Sequence, residues 1–135
     1  MLDTNILIYS IARTIGGAPD PRTDAAERLL AKGGRVTVQI LNEFVDVANR
    51  KLRLSWDWID GRLSEIEELC GPALPLTAQG QREAVRISAR YGLRIYDAMI
   101  LASAREAGCD TLYTEDLQHG QVIEGLRIEN PFVGI

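Results

Sequence analysis

Histidine is almost missing from this 135-residue chain, with His119 alone, and cysteine is scarce, with only Cys70 and Cys109. The two thiols lie far apart, with no C-x-x-C spacing and no histidine-rich neighbourhood. They read as reduced, partly buried thiols of a cytosolic protein, not as a disulfide or a zinc site. Lysine is as sparse, with Lys32 and Lys51 the only two among 15 basic residues. No apolar run approaches the ~18 residues of a membrane span. The N-terminus lacks the basic, then apolar, then small-residue layout of an export signal. Repeats, low-complexity tracts and linkers are absent. What remains is an ordinary globular composition, 46% hydrophobic and 25% charged, sized for a single domain over 1–135 with one core. The net charge of −4 argues against broad electrostatic attachment to nucleic acid, which favours a basic surface.

The chain alternates short apolar segments with capped helices. Asp20-Pro21 reads as N-cap and first helical residue of a helix Pro21–Lys32, closed by Gly33-Gly34. Arg35–Val38 is a short strand. Ile40–Leu52 has helical spacing, with Ile40, Phe44, Val47 and Ala48 on one face. Ser55 caps a helix to Cys70, stopped by Gly71-Pro72. Ala73–Leu76 is extended, and Pro75 favours a sheet edge. Thr77 caps a helix ending at Tyr91-Gly92, and a further helix runs from Ile95 to Ala107. Asp110–Thr114 is a strand, with Val122-Ile123 and Leu126–Ile128 as terminal candidates. At the start, Met1-Leu2 is a strand stub before a helix Asn5–Ala12. Strands alternating with helices imply an α/β fold with a mainly parallel central sheet covered on both faces.

In such folds ligands sit beyond the carboxyl ends of the strands. Asp3 follows the first stub. Glu43 lies in the first turns of the helix leaving the second strand. Asp116 lies just past the strand ending at Thr114. All three map to one sheet edge. Asp97 shares a helical stripe with Ile100, Leu101 and Ala104 and is expected to face the core. Burying a lone carboxylate costs several kcal/mol, and no Lys or Arg shares that stripe. A cation shared with other carboxylates is the partner this spacing calls for. Oxygen ligands without Cys or His point to Mg²⁺ or Mn²⁺. With those four acids set aside the remaining formal charge is zero, so the rest of the surface does not repel a phosphate chain. A metal at such a site supports phosphodiester cleavage, with a carboxylate orienting or deprotonating the attacking water. Asn5 and Thr114 fit as polar supports for the ligand carboxylates, or as plain capping and turn residues.

Four segments, LDTNILIY, NEF at Asn42–Phe44, IYDAMILASA around Asp97 and LYTEDLQHG around Asp116, together resemble the PIN domain, in its order and over essentially the whole chain. The closing GLRIENPF resembles the VapC-type toxins of bacterial toxin–antitoxin pairs. The resemblance implies a three-layer α/β/α fold and a Mg²⁺- or Mn²⁺-dependent ribonuclease of the cytoplasm. It implies a homodimer held inactive by a cognate antitoxin. By position, Asp3, Glu43, Asp97 and Asp116 would be its acidic quartet, with Asn5 and Thr114 in support. The chain departs from the family in having only two residues before its first Asp. It also has Leu117-Gln118 where some members carry a further acid, which weakens the case for a second metal. Glu115, as the neighbour of Asp116, is expected to point elsewhere.

Two rivals stand beside this reading. One is phosphoryl transfer to an aspartate, which wants a lysine at the phosphate and usually a D-x-D, where this chain has Asp3-x-Asn5. The other is a catalytically silent PIN-like binding module. Arg50–Arg53 reads as a basic helix end. Of Trp56 and Trp58, one is expected in the core and the other at a contact surface. His119, beside Gly120, reads as an exposed loop residue, not a general base.

Overall fold

A computed structural model describes all 135 residues. Its helices are α1 (Thr4–Ile11), α2 (Pro21–Ala31), α3 (Val38–Asp46), α4 (Trp56–Cys70), α5 (Ala78–Tyr91) and α6 (Ile95–Glu106). The strands are β1 (Thr111–Tyr113), β2 (Val122–Ile123) and β3 (Leu126–Glu129). The helix starts expected from the sequence are present because their caps are local chemistry. The side chains of Asp20, Ser55 and Thr77 each accept a backbone N–H in the first turn, satisfying donors that have no helical partner. The helix expected over Ile40–Leu52 starts two residues earlier, at Val38, capped by Thr37, and ends in a π-helical turn, Val47–Lys51.

The sheet is mixed. β1 and β3 are parallel, and β2 returns antiparallel to β3. The hairpin reverses at Glu124 and Gly125, both at positive φ (52° and 81°), which suits a two-residue turn of the primed type. Both terminal candidates are therefore strands. On the other side of β1, Leu2 forms a single parallel bridge to Tyr113, so the first strand is a stub as expected. The Leu2 N–H bonds to Arg35 O at 2.9 Å, and Leu74 N–H to Val36 O at 2.9 Å. These contacts extend the sheet through the 35–38 and Leu74 segments. The strand expected at Arg35–Val38 shrinks to one bridge, Thr37 to Leu74, because the Thr37 hydroxyl already caps α3.

α1 packs on α2 and α3, while α5 packs on α6, which in turn lies against β1 and β3. The core runs continuously from Leu2, Ile6, Leu7 and Ile11 through Ile40 and Phe44 to Leu101, Leu112 and Ile128. Cys70 is buried, Cys109 half-buried, and both are free thiols. Trp56 is 64% exposed, while Trp58 packs against the core. No helix is long and apolar enough to cross a membrane.

Candidate active site

The stub strand and β1 together fix Asp3. Its N–H bonds to Tyr113 O at 3.1 Å, and its side chain starts α1 by accepting the Thr4 N–H on Oδ1 at 2.7 Å. The capping role and a site role thus fall on one carboxylate, whose two oxygens face different partners. Oδ2 accepts the Thr114 hydroxyl at 2.6 Å. Thr114, at the end of β1, also accepts the Asp116 N–H at 3.1 Å, which turns the following loop so that Asp116 comes alongside. The Asn5 amide spans the gap: its Nδ2 lies 3.3 Å from Asp116 Oδ2, 3.4 Å from Thr114 Oγ1 and 3.5 Å from Asp3 Oδ2. The opposite atom, Asn5 Oδ1, is buried with no hydrogen-bond partner.

Glu43 joins through two residues that spacing alone did not mark. Thr4 Oγ1 donates to Glu43 Oε2 at 3.0 Å, and Gln39 Nε2 donates to Oε1 at 3.2 Å. Gln39 stands one helical turn before Glu43, the i,i+4 relation that brings side chains together. Thr4 carries no such signal, since its link to Glu43 depends on how α1 packs on α3.

Asp97 departs from expectation. Its side chain is largely buried, as the stripe predicts, but it does have a basic partner: Arg94 Nε lies 3.3 Å from its Oδ2. The helical stripe missed Arg94 because that residue is the N-cap of α6, with extended backbone (φ −64°, ψ 147°). Helical angles do not apply there.

The four acids share one electrostatic neighbourhood. Burial is the main cause that lifts Asp3 from 3.8 to about 6. The Thr114 and Thr4 hydrogen bonds pull it down, and the charges of Asp116 and Glu43 push it up again. The Arg94 guanidinium is held above its ordinary range by its hydrogen bond to Asp97 and that residue's charge, with further contributions from Asp116 and Glu43. No three Asp, Glu, His or Cys side chains close around a single point as a metal cage. Mg²⁺ rarely needs a cage, since it keeps several waters and uses one or two carboxylates together with substrate phosphate. The all-oxygen donor set and the destabilised anion at Asp3 fit such a hydrated ion.

Other residues are directed elsewhere. Glu115 accepts from the Tyr9 hydroxyl at 2.8 Å and lies 3.9 Å from Arg22, so it points away as expected. His119 Nδ1 accepts the Asn130 N–H at 3.1 Å, a loop-fastening role. Arg50 pairs with Asp46 at 2.8 Å. Asp3 is only 5% exposed, with both oxygens engaged. That enclosure suits a fixed ligand better than the free nucleophile an aspartyl-phosphate pathway needs.

The PIN domain pattern matches residues 1–124 of the chain. No curated protein matches. Among solved structures, a toxin–antitoxin complex from Klebsiella pneumoniae is similar over 97% of this chain and 96% of that one, with a TM-score of 0.66 and 21% identity. VapC20 of Mycobacterium tuberculosis, described as a sarcin–ricin loop cleaving toxin, matches over 85% and 89%, with a TM-score of 0.62 and 21% identity. VapBC2 of Rickettsia felis, bound to a DNA fragment of its promoter, matches over 96% of both chains, with a TM-score of 0.62 and 20% identity. At such identities the likeness is one of fold.

Proposed function

The chain belongs to the PIN domain family, and on that premise we propose that it is a metal-dependent endoribonuclease, the toxin of a toxin–antitoxin pair. The observation that carries the reading is the polar network in which Asn5, Thr4 and Thr114 tie Asp3, Glu43 and Asp116 together, with Asp97 beside it through Arg94, which feels the charges of Asp97, Asp116 and Glu43 alike. The toxin role is supported by the named neighbours, one a toxin–antitoxin complex and one a sarcin–ricin loop cleaving toxin. It carries with it a cognate antitoxin, a homodimer and a cytoplasmic site of action.

Asp3, Asp97 and Asp116, with Glu43, are the residues that would hold Mg²⁺ or Mn²⁺. When bound, such an ion polarises a phosphoryl oxygen and lowers the pKa of a bound water. The chain's own residues do the positioning. Thr114 locks the Asp3 carboxylate in one orientation and fastens the Asp116 loop through its backbone N–H. Asn5 sets the spacing between Asp3 and Asp116. Glu43 is held by Thr4 and Gln39 on its two oxygens, which fixes its carboxylate beside Asp3, and a carboxylate of the cluster would orient or deprotonate the attacking water.

Asp97→Asn removes one charge and keeps the shape of the side chain. It is expected to lower kcat/KM for RNA on the order of a hundredfold, ~3 kcal/mol of transition-state stabilisation, with the circular dichroism spectrum unchanged. Expressed without an antitoxin, the native chain should arrest bacterial growth and the variant should not. Cleavage by the variant at the native rate would sink the assignment.

A further inference from the structure

Helices α1 to α5 each begin at an Asp, Ser or Thr whose side chain accepts a backbone N–H of the first turn. α6 begins at Arg94, which makes no such bond. Arginine is not among the favoured N-caps, and a cation there opposes the helix dipole. The residue therefore breaks a local rule that the rest of the chain keeps, and such breaks point to function. Packing does not explain it either, because the side chain is 79% exposed. The guanidinium faces the acids instead. Its Nε is 3.3 Å from Asp97 Oδ2, and Asp97, whose side chain is only 14% exposed, has no other hydrogen-bond partner.

Resting on the nuclease reading above, we propose that Arg94 is an internal counter-ion of the acid cluster and a substrate contact in turn. It neutralises Asp97 while no divalent cation is bound. It is displaced from Asp97 when one binds, and it then meets the RNA phosphate at the mouth of the site. The reason is electrostatic. Arg94 and a divalent ion on the same carboxylate repel one another, and the exposed guanidinium is the mobile partner. Once freed it stays tethered within one turn of the acids. A chain of net charge −4 needs a cation there to receive a polyanion, and the guanidinium fork matches phosphate oxygens.

Calorimetric titration of the full chain with Mn²⁺ tests the exchange. Arg94→Ala is expected to bind Mn²⁺ about two- to fivefold more tightly at low salt, the worth of one exposed ion pair, and Arg94→Lys should stay near the native affinity. The same alanine variant should raise KM for a single-stranded RNA more than it lowers kcat. The salt dependence of that KM should become shallower by about 0.7 in log–log slope, the loss of one phosphate contact. In the native chain, the Nε–H resonance of Arg94 should shift on addition of Mg²⁺. An alanine variant with unchanged or weaker Mn²⁺ affinity, or an Arg94 resonance that ignores Mg²⁺, overturns the inference and leaves the nuclease reading standing. A native chain that takes up no Mn²⁺ and cuts no RNA overturns both.

Discussion

Asp3 is the residue on which stability and function pull in opposite directions. Its folded pKa is raised, from 3.8 to about 6, chiefly by burial. The folded chain therefore binds the proton more tightly than the unfolded chain does. The stability that Asp3 contributes is complete below its unfolded value and is lost as pH rises through the folded one. For a group this enclosed the loss is on the order of 3 kcal/mol. Asp20, Glu83 and Glu124 shift the other way, held down by arginine partners, and their effect is lost only in stronger acid. In metal-free buffer the urea midpoint is thus expected to rise as pH falls from ~7 to ~5. Asp3→Asn should be more stable than the native chain at neutral pH and flat across that window. A native midpoint that falls steadily over the same range would show that Asp3 is not the ionised, poorly compensated group described here.

At the scale of elements, caps and Gly breaks made most helix boundaries legible, because each is decided within a few residues. Thr77 before α5 and Gly92 in the left-handed conformation after it (φ 67°) are both visible as letters. Sheet membership was less legible. Thr37 serves a bridge to Leu74 and the cap of α3 at once, and nothing nearby in sequence says that the strand stops so early. The pairing of Asp97 was misread for a related reason, since a helical wheel covers only residues inside the helix and Arg94 lies just outside. Thr4 was missed because its link to Glu43 crosses 39 residues and two helices. α3 carries Glu43, so its start matters to the site. Thr37→Ala is expected to cost about 1–2 kcal/mol in urea unfolding, and Thr37→Ser to recover most of it. Equal losses in the two variants would place the effect in packing and not in the cap.

At the scale of the whole molecule, the fold links Asp3, Glu43 and Asp116 through Thr4, Asn5 and Thr114, and Arg94 brings Asp97 into the same electrostatic neighbourhood. The resemblance of four segments in order made the family legible, and the PIN domain match over residues 1–124 shows it; the joint role of the four acids remains the proposal made above. The polar scaffold that holds the carboxylates apart was only partly legible. Asn5 and Thr114 stood out beside their acids, whereas the unpartnered Asn5 Oδ1 is a property of packing. The central claim is that these acids hold a divalent cation for water-driven cleavage of RNA. Cleavage of a single-stranded RNA by the native chain, stripped with EDTA and then titrated with Mn²⁺, tests it most directly. No cleavage in EDTA, its return with added Mn²⁺ and products ending in a linear phosphate are the expected result. Undiminished cleavage in EDTA, or products ending in a 2′,3′-cyclic phosphate, would contradict it.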